Sequence, residues 1–149
     1  MLQINSVNNG NCLDLMSDID DKSIDMILCD LPYGTTACKW DSVIPFEPLW
    51  AHYKRVIKNN GAIVLTASQP FTSALVMSNI KMFKYDWVWR KSRVTGVLNA
   101  KKQPLRTKED VIVFSNGVAI YNPQGLIESN KQANTGVSKS GKQGLATGK

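Results

Sequence analysis

The residues best equipped for chemistry are Asp30-Leu31-Pro32-Tyr33-Gly34, directly after the apolar run Ile24–Cys29. A run of that kind, bounded by polar residues, suits a strand buried on both faces, as in a parallel sheet. The turn therefore sits at the carboxyl end of a strand, the edge at which open α/β sheets bind ligands. An exocyclic amine on a nucleobase is a poor nucleophile, because its lone pair is delocalised into the ring. Two acceptors aimed at its hydrogens favour a pyramidal nitrogen. The Asp30 carboxylate and a backbone carbonyl of the rigid Leu31-Pro32 turn supply such acceptors. Tyr33 can stack on the base, an interaction worth roughly 1–3 kcal/mol. A base within a duplex must first be flipped out, at a cost of a few kcal/mol.

Around this turn the chain alternates strand and helix. Asn11 is a candidate N-cap for a short helix over 12–16. Residues 30–45 contain Pro32, Gly34 and Pro45 and read as a loop. Phe46, Leu49, Trp50, Tyr53, Val56 and Ile57 form one apolar stripe at helical spacing. Pro45 and Pro48 suit its start, and Asn59-Asn60-Gly61 its end. Ala62–Leu65 reads as a buried strand and 70–79 as a helix. Residues 84–90 read as a strand with an aromatic face, and Val111–Phe114 as a further strand. The alternation predicts an α/β fold with a largely parallel sheet.

The full chain has 149 residues and net charge +6, unevenly placed. Residues 1–50 hold eight acidic and two basic side chains, whereas 51–149 hold four acidic and sixteen basic. Nine Lys/Arg against one Asp fall within 81–108, interleaved with Phe83, Tyr85, Trp87 and Trp89. This is either a polyanion-binding surface or a solvated sheet face with lysines outside and aromatics inside. The three cysteines contain no CxxC pair, so neither a disulfide framework nor a thiolate zinc site is expected. No metal site is expected at His52, the single histidine, which sits in the strong helix. No signal peptide is visible and no stretch approaches the ~20 apolar residues of a membrane span, so a reducing cytoplasm is the expected location. Gly136–Lys142 spells GxxxxGK, but Gln143 stands where magnesium needs Ser or Thr and no apolar strand precedes it. Trp40 and Asp41 either line the base pocket or anchor the loop.

The Asp30–Tyr33 segment resembles the D-P-P-Y motif of amino-directed DNA methyltransferases. Other segments agree. Gly10-Asn11-Cys12-Leu13-Asp14 is similar to that family's G-D-C-L segment, and Gly61–Leu65 with Ser68-Gln69-Pro70-Phe71 to its next strand and loop. Trp87–Lys91 and Asn99–Leu105 resemble the following strand and its substrate-side loop. Glu109–Phe114 resembles the H-E-x-I-L-V-F strand, and Tyr121-Asn122-Pro123-Gln124 recurs in phage-type members. Leu31 replaces the first proline, Asn11 stands where many members carry Asp, and Lys108 where His is frequent. The order of segments is similar to the permuted class, in which the catalytic motif comes first and a glycine-rich cofactor loop last. The chain contains no GxG.

The resemblance implies an incomplete Rossmann-like, S-adenosylmethionine-dependent methyltransferase fold with the catalytic half of the sheet present. Residues 1–124 would be the catalytic part, and 125–149 the start of a target-recognition region or a flexible tail. It implies methyl transfer to the exocyclic amine of a flipped base in duplex DNA, adenine N6 ahead of cytosine N4. Asp30, Leu31, Pro32 and Tyr33 would be catalytic, and Asn11, Cys12 and Asp30 would approach the cofactor. Lys91, Arg93, Lys101, Lys102 and Arg106 are the expected DNA contacts. The implied partners are double-stranded DNA and a missing C-terminal half or a homodimer partner. Two other readings stay open: a non-catalytic DNA-binding remnant, and a methyltransferase acting on RNA or protein.

Overall fold

The computed structural model describes residues 2–125. The phosphate-loop-like stretch Gly136–Lys142 and nearly all of the expected recognition region lie outside the described residues. In chain order the elements are α1 (Cys12–Met16), β1 (Ile24–Asp30), α2 (Phe46–Val56), β2 (Ile57–Ala67), α3 (Phe71–Ser78), β3 (Phe83–Thr95) and β4 (Arg106–Phe114), with a single 3-10 turn at Val97–Asn99. They build one four-stranded sheet in the order β1-β2-β4-β3.

The α/β class is as the alternation predicts, but the sheet is not largely parallel. Only β1 and β2 pair in parallel, whereas β4 is antiparallel to both β2 and β3. The link between β3 and β4 spans only 96–105, too short for a crossover, so β4 must return as a hairpin partner. It inserts between β2 and β3, which leaves β1 at an edge.

The helical stripe forms as expected. Leu49, Trp50, Tyr53 and Val56 of α2 and Phe71 and Leu75 of α3 are buried. They share one core with Ile63, Leu65, Ala67, Ile112 and Phe114, the alternate residues of β2 and β4 that face them. The Trp50 ring lies 4.8 Å from that of Phe114, and its Nε1–H donates to Ser78 Oγ at 2.8 Å. Asn11 caps α1 through its side chain, which accepts from Leu13 N.

Asn59-Asn60-Gly61 does not stop α2. The helix ends at Val56, and its last carbonyls are taken by Lys22, whose backbone N–H reaches Arg55 O and whose Nζ reaches Lys54 O. The Asn-Asn-Gly stretch instead lies within β2, where the pairing jumps from Ile24↔Ile57 to Met26↔Ala62. A Cβ on Gly61 would stand 2.8 Å from Asp25 O, so the close approach of β1 there requires glycine.

The other face of the sheet carries no helix among the described residues. Val64 and Val113, in the central strands, are buried there. The chain after β4 folds back so that Ile120 N–H donates to Asn60 O. Toward the edges the face is open. Met26 is 52% exposed and Leu28 69%, so β1 is not buried on both faces. Trp87 and Trp89 are 48% and 54% exposed, which overturns the picture of lysines outside and aromatics inside. No described helix is long and apolar enough to cross a membrane.

Candidate functional site

The strand register fixes the site. Asp30, the last residue of β1, pairs with Thr66, which pairs with Val111, which pairs with Trp87. This row marks the carboxyl edge of β1 and β2. Asp30 and the turn behind it open onto a cavity of about 300 Å³, lined by Asp30, Leu31, Pro32, Tyr33, Thr35, Thr36, Trp40 and Asp41.

The Asp30 carboxylate is held by one oxygen. Thr66 Oγ1 donates a short hydrogen bond to Oδ1, and the Tyr33 hydroxyl lies 2.8 Å from the same atom. The Tyr33 hydroxyl is also 3.0 Å from Thr66 Oγ1, so its single proton serves either acceptor. No donor among the described residues reaches Oδ2. Burial pushes the Tyr33 phenol far above its ordinary range, and the adjoining Asp30 carboxylate pushes the same way, against a lowering hydrogen bond from Thr66. Tyr33 therefore stays a neutral hydrogen-bond donor at any physiological pH. One face of its ring stacks on Phe71, with centroids 5.2 Å apart and planes at 22°. Only the opposite face is left for a base. Leu31 is buried in the core, so its side chain anchors the turn and its carbonyl is the part that can act.

The loop that follows is braced by Asp41. Its Oδ1 accepts from Gly34 N at 2.9 Å, and its Oδ2 from Thr35 N and Thr36 N at 2.9 and 2.7 Å. The Thr36 hydroxyl and then these amides pull the Asp41 carboxyl down to about 2 from its ordinary 3.8. Gly34 takes φ +67°, and a Cβ there would meet Val43 Cγ2 at 2.9 Å, so the brace closes only over glycine.

Beyond the Asp30 row, β3 continues to Thr95 and β4 begins at Arg106, forming a two-stranded ribbon. Lys91 and Arg93 lie on β3, Arg106 on β4, and Lys101 and Lys102 in the turn between. Arg93, Lys101, Lys102 and Arg106 have no ion-pair partner among the described residues. Lys91 differs: its Nζ forms a short ion pair with Glu109, and both side chains are largely shielded. Lys108 pairs with Asp110 at 2.9 Å, and that hydrogen bond raises its pKa. Burial alone would raise the Asp110 carboxyl, but its bonds from Lys108 and Thr72 outweigh this and lower it.

Asn11 and Cys12 do not line the Asp30 cavity. The Asn11 side chain is spent on capping α1. Cys12 is near enough to Cys29 to act on its thiol, whose pKa is raised chiefly by burial. No cluster of His, Cys, Asp or Glu among the described residues could hold a metal ion. Thr66 and Phe71 are the site residues that sequence reasoning missed. Thr66 carried one signal, as a lone hydroxyl in the apolar run Ala62–Ala67.

No family model matches the chain. It is similar to the type II methyltransferase M1.MboII of Moraxella bovis, with 25% identity over 125 residues, covering 77% of this chain and 47% of that enzyme. In structure it is similar to M1.HpyAVI, solved as its complex with SAM, with a TM-score of 0.51 and 17% identity over 76% of this chain and 56% of that one. It is also similar to the cytosine-N4-specific PvuII DNA methyltransferase, with a TM-score of 0.55 and 12% identity over 74% of this chain and 48% of that one. The fold is thus the incomplete methyltransferase sheet that the sequence resemblance implied, and these relatives support the resemblance to amino-directed DNA methyltransferases. The chain spans about half the length of the relatives it matches.

Proposed function

We propose that this chain is the acceptor-side part of a site-specific DNA methyltransferase, acting on the exocyclic amine of a flipped base, adenine N6 first. The observation that carries the reading is the Asp30 carboxylate at the edge of its cavity: Oδ1 is pinned by Thr66 and Tyr33, while Oδ2 is unclaimed. A carboxylate fixed in this way presents one directed acceptor to an amine hydrogen. The Leu31 carbonyl, in a turn stiffened by Pro32, is the second. Together they orient the nitrogen lone pair, and Oδ2 is the acceptor at hand for the proton that the nitrogen sheds. Tyr33 offers its free ring face to the base.

S-adenosylmethionine, when bound, supplies an electrophilic methyl group. The described residues fit it on one side only. They provide the acceptor groups, but no glycine turn at this edge offers backbone amides for its nucleoside, because Gly34 is packed against Val43. The cofactor-binding part would come from polypeptide beyond these residues or from a partner subunit. The ribbon residues Arg93, Lys101, Lys102 and Arg106 supply the unpaired positive charge that DNA phosphates need.

The test joins the chain to a complementary cofactor-binding half and measures transfer of labelled methyl to duplex DNA. Asp30→Ala should lower transfer by about 10²–10⁴-fold while leaving DNA affinity unchanged. Wild-type transfer by that variant would overturn the assignment. Label appearing in RNA or protein, and not in duplex DNA, would redirect it.

A further inference from the structure

Resting on that reading, we infer that Trp40 is a base-binding residue. Its indole supplies a second stacking face for the target base at the Asp30 cavity, and Asp41 is the residue that positions it.

Trp40 lines the cavity and is 74% exposed. It is not a packing anchor. Trp50 shows what an anchoring tryptophan does in this protein: it is buried, it meets Tyr53 and Phe114, and its Nε1–H is bonded to Ser78. The Trp40 indole makes no ring contact and no hydrogen bond among the described residues. A tryptophan left in water forfeits its large burial energy, and it is recovered when a flat ring covers it.

The loop presenting this indole is not slack. Asp41, its chain neighbour, is buried and ties down three successive amides, from Gly34 to Thr36. Asp41 N–H also donates to Cys38 O at 3.0 Å, and Cys38 N–H to Thr36 Oγ1 at 3.3 Å. A bare aromatic on a braced loop is pre-organised for a ligand. Tyr33 cannot hold a base on both sides, because Phe71 occupies one of its faces and Asp30 and Thr66 its hydroxyl. Tyr33 and Trp40 together give the cavity two aromatic surfaces, with Asp30 Oδ2 free for an amine. The ligand class is therefore a purine or pyrimidine bearing an exocyclic amine. The volume of about 300 Å³ is that of a small ligand site.

The experiment uses the 149-residue chain and a short duplex with one 2-aminopurine opposite an abasic site. The same duplex fully paired serves as the reference. Affinities are read by anisotropy, and base capture by quenching of the 2-aminopurine emission. The wild-type chain should prefer the unpaired probe and quench it. Trp40→Ala should lose about tenfold of that preference together with most of the quenching, and Trp40→Phe should retain both in large part. Asp41→Asn should weaken both with the indole still present. Thermal melting matching the wild type will show that each variant is folded. Trp40→Ala with undiminished preference and quenching overturns the role of Trp40 and leaves the methyltransferase reading standing. A wild-type chain that does not distinguish the probes overturns both.

Discussion

Two structures reach past the carboxyl edge of the sheet, and they are built in opposite ways. The loop over 34–41 is short and cross-braced, with one carboxylate, Asp41, closing three amide bonds. The ribbon over 88–108 is long and open, and most of its side chains are exposed. The loop is tied to an acidic site, where Asp30 must be aimed to within the geometry of a hydrogen bond. The ribbon carries cations, which attract phosphates from a distance and tolerate many geometries. The charge imbalance of the sequence therefore marks a division of labour: aimed acids beside the cavity, unaimed bases beyond it. Ion pairs at the ribbon's foot, Lys91–Glu109 and Lys108–Asp110, mark where the aimed part ends.

The contrast is broken most severely at Thr66. Its hydroxyl contributes a hydrogen bond to a charged group, worth about 1.5–3 kcal/mol. Thr66→Val keeps the shape and removes the donor, so Asp30 Oδ1 is left with Tyr33 alone. In the completed enzyme, methyl transfer should fall about 10- to 100-fold at unchanged DNA affinity. Thr66→Ser should restore it, which a purely packing role for the threonine methyl would not allow. On the ribbon the effects should be smaller and of another kind. Arg93→Ala and Arg106→Ala should each weaken DNA binding across all sequences. Each should also reduce the slope of log affinity against log salt by about 0.9 for every phosphate left without its cation. Lys91→Ala should change that slope less, because Glu109 already neutralises Lys91. Titrating binding against salt for the three variants checks this, and an equal loss from Lys91 would mean that the Glu109 pair opens on DNA.

This division was partly legible in the sequence. The Asp30–Tyr33 turn, the α2 stripe and the basic segment are local patterns, set by spacing alone. What stayed hidden depends on which strand lies beside which. Thr66 looks like the polar end of an apolar run until pairing with β1 puts it opposite Asp30. Asn59-Asn60-Gly61 has the composition of a helix stop, and only the passage of Asp25 overhead shows that the glycine serves the sheet. The run Ile24–Cys29 is apolar enough for burial on both faces, yet β4 pairs on the far side of β2 and leaves Leu28 in water. Lys91 could not be told from Arg93 by type, because its partner Glu109 is 18 residues away.

The smallest expected effect is also the most local, and it sharpens the comparison from the side of the loop. The Asp41 carboxyl titrates near 2 in the folded loop instead of at 3.8, because its charged form is the one that Thr36 and the three amides bind. A carboxyl lowered by folding contributes stability that is complete above its unfolded pKa. That contribution disappears as pH falls through the folded value. The brace should therefore be intact at and above pH ~4 and release between about 4 and 2. Hydrogen exchange read residue by residue can see this. Protection of the Gly34, Thr35 and Thr36 amides should fall across that window in step with one another, since one carboxylate holds all three. Asp41→Asn should show weak protection at every pH, with no step. The ribbon has no comparable single clasp, and its amides between Arg90 and Thr95 should show no step tied to Asp41. If those amides loosened together with the loop, the two structures would be one mechanical unit, and the separation between an aimed site and an unaimed basic arm would not hold.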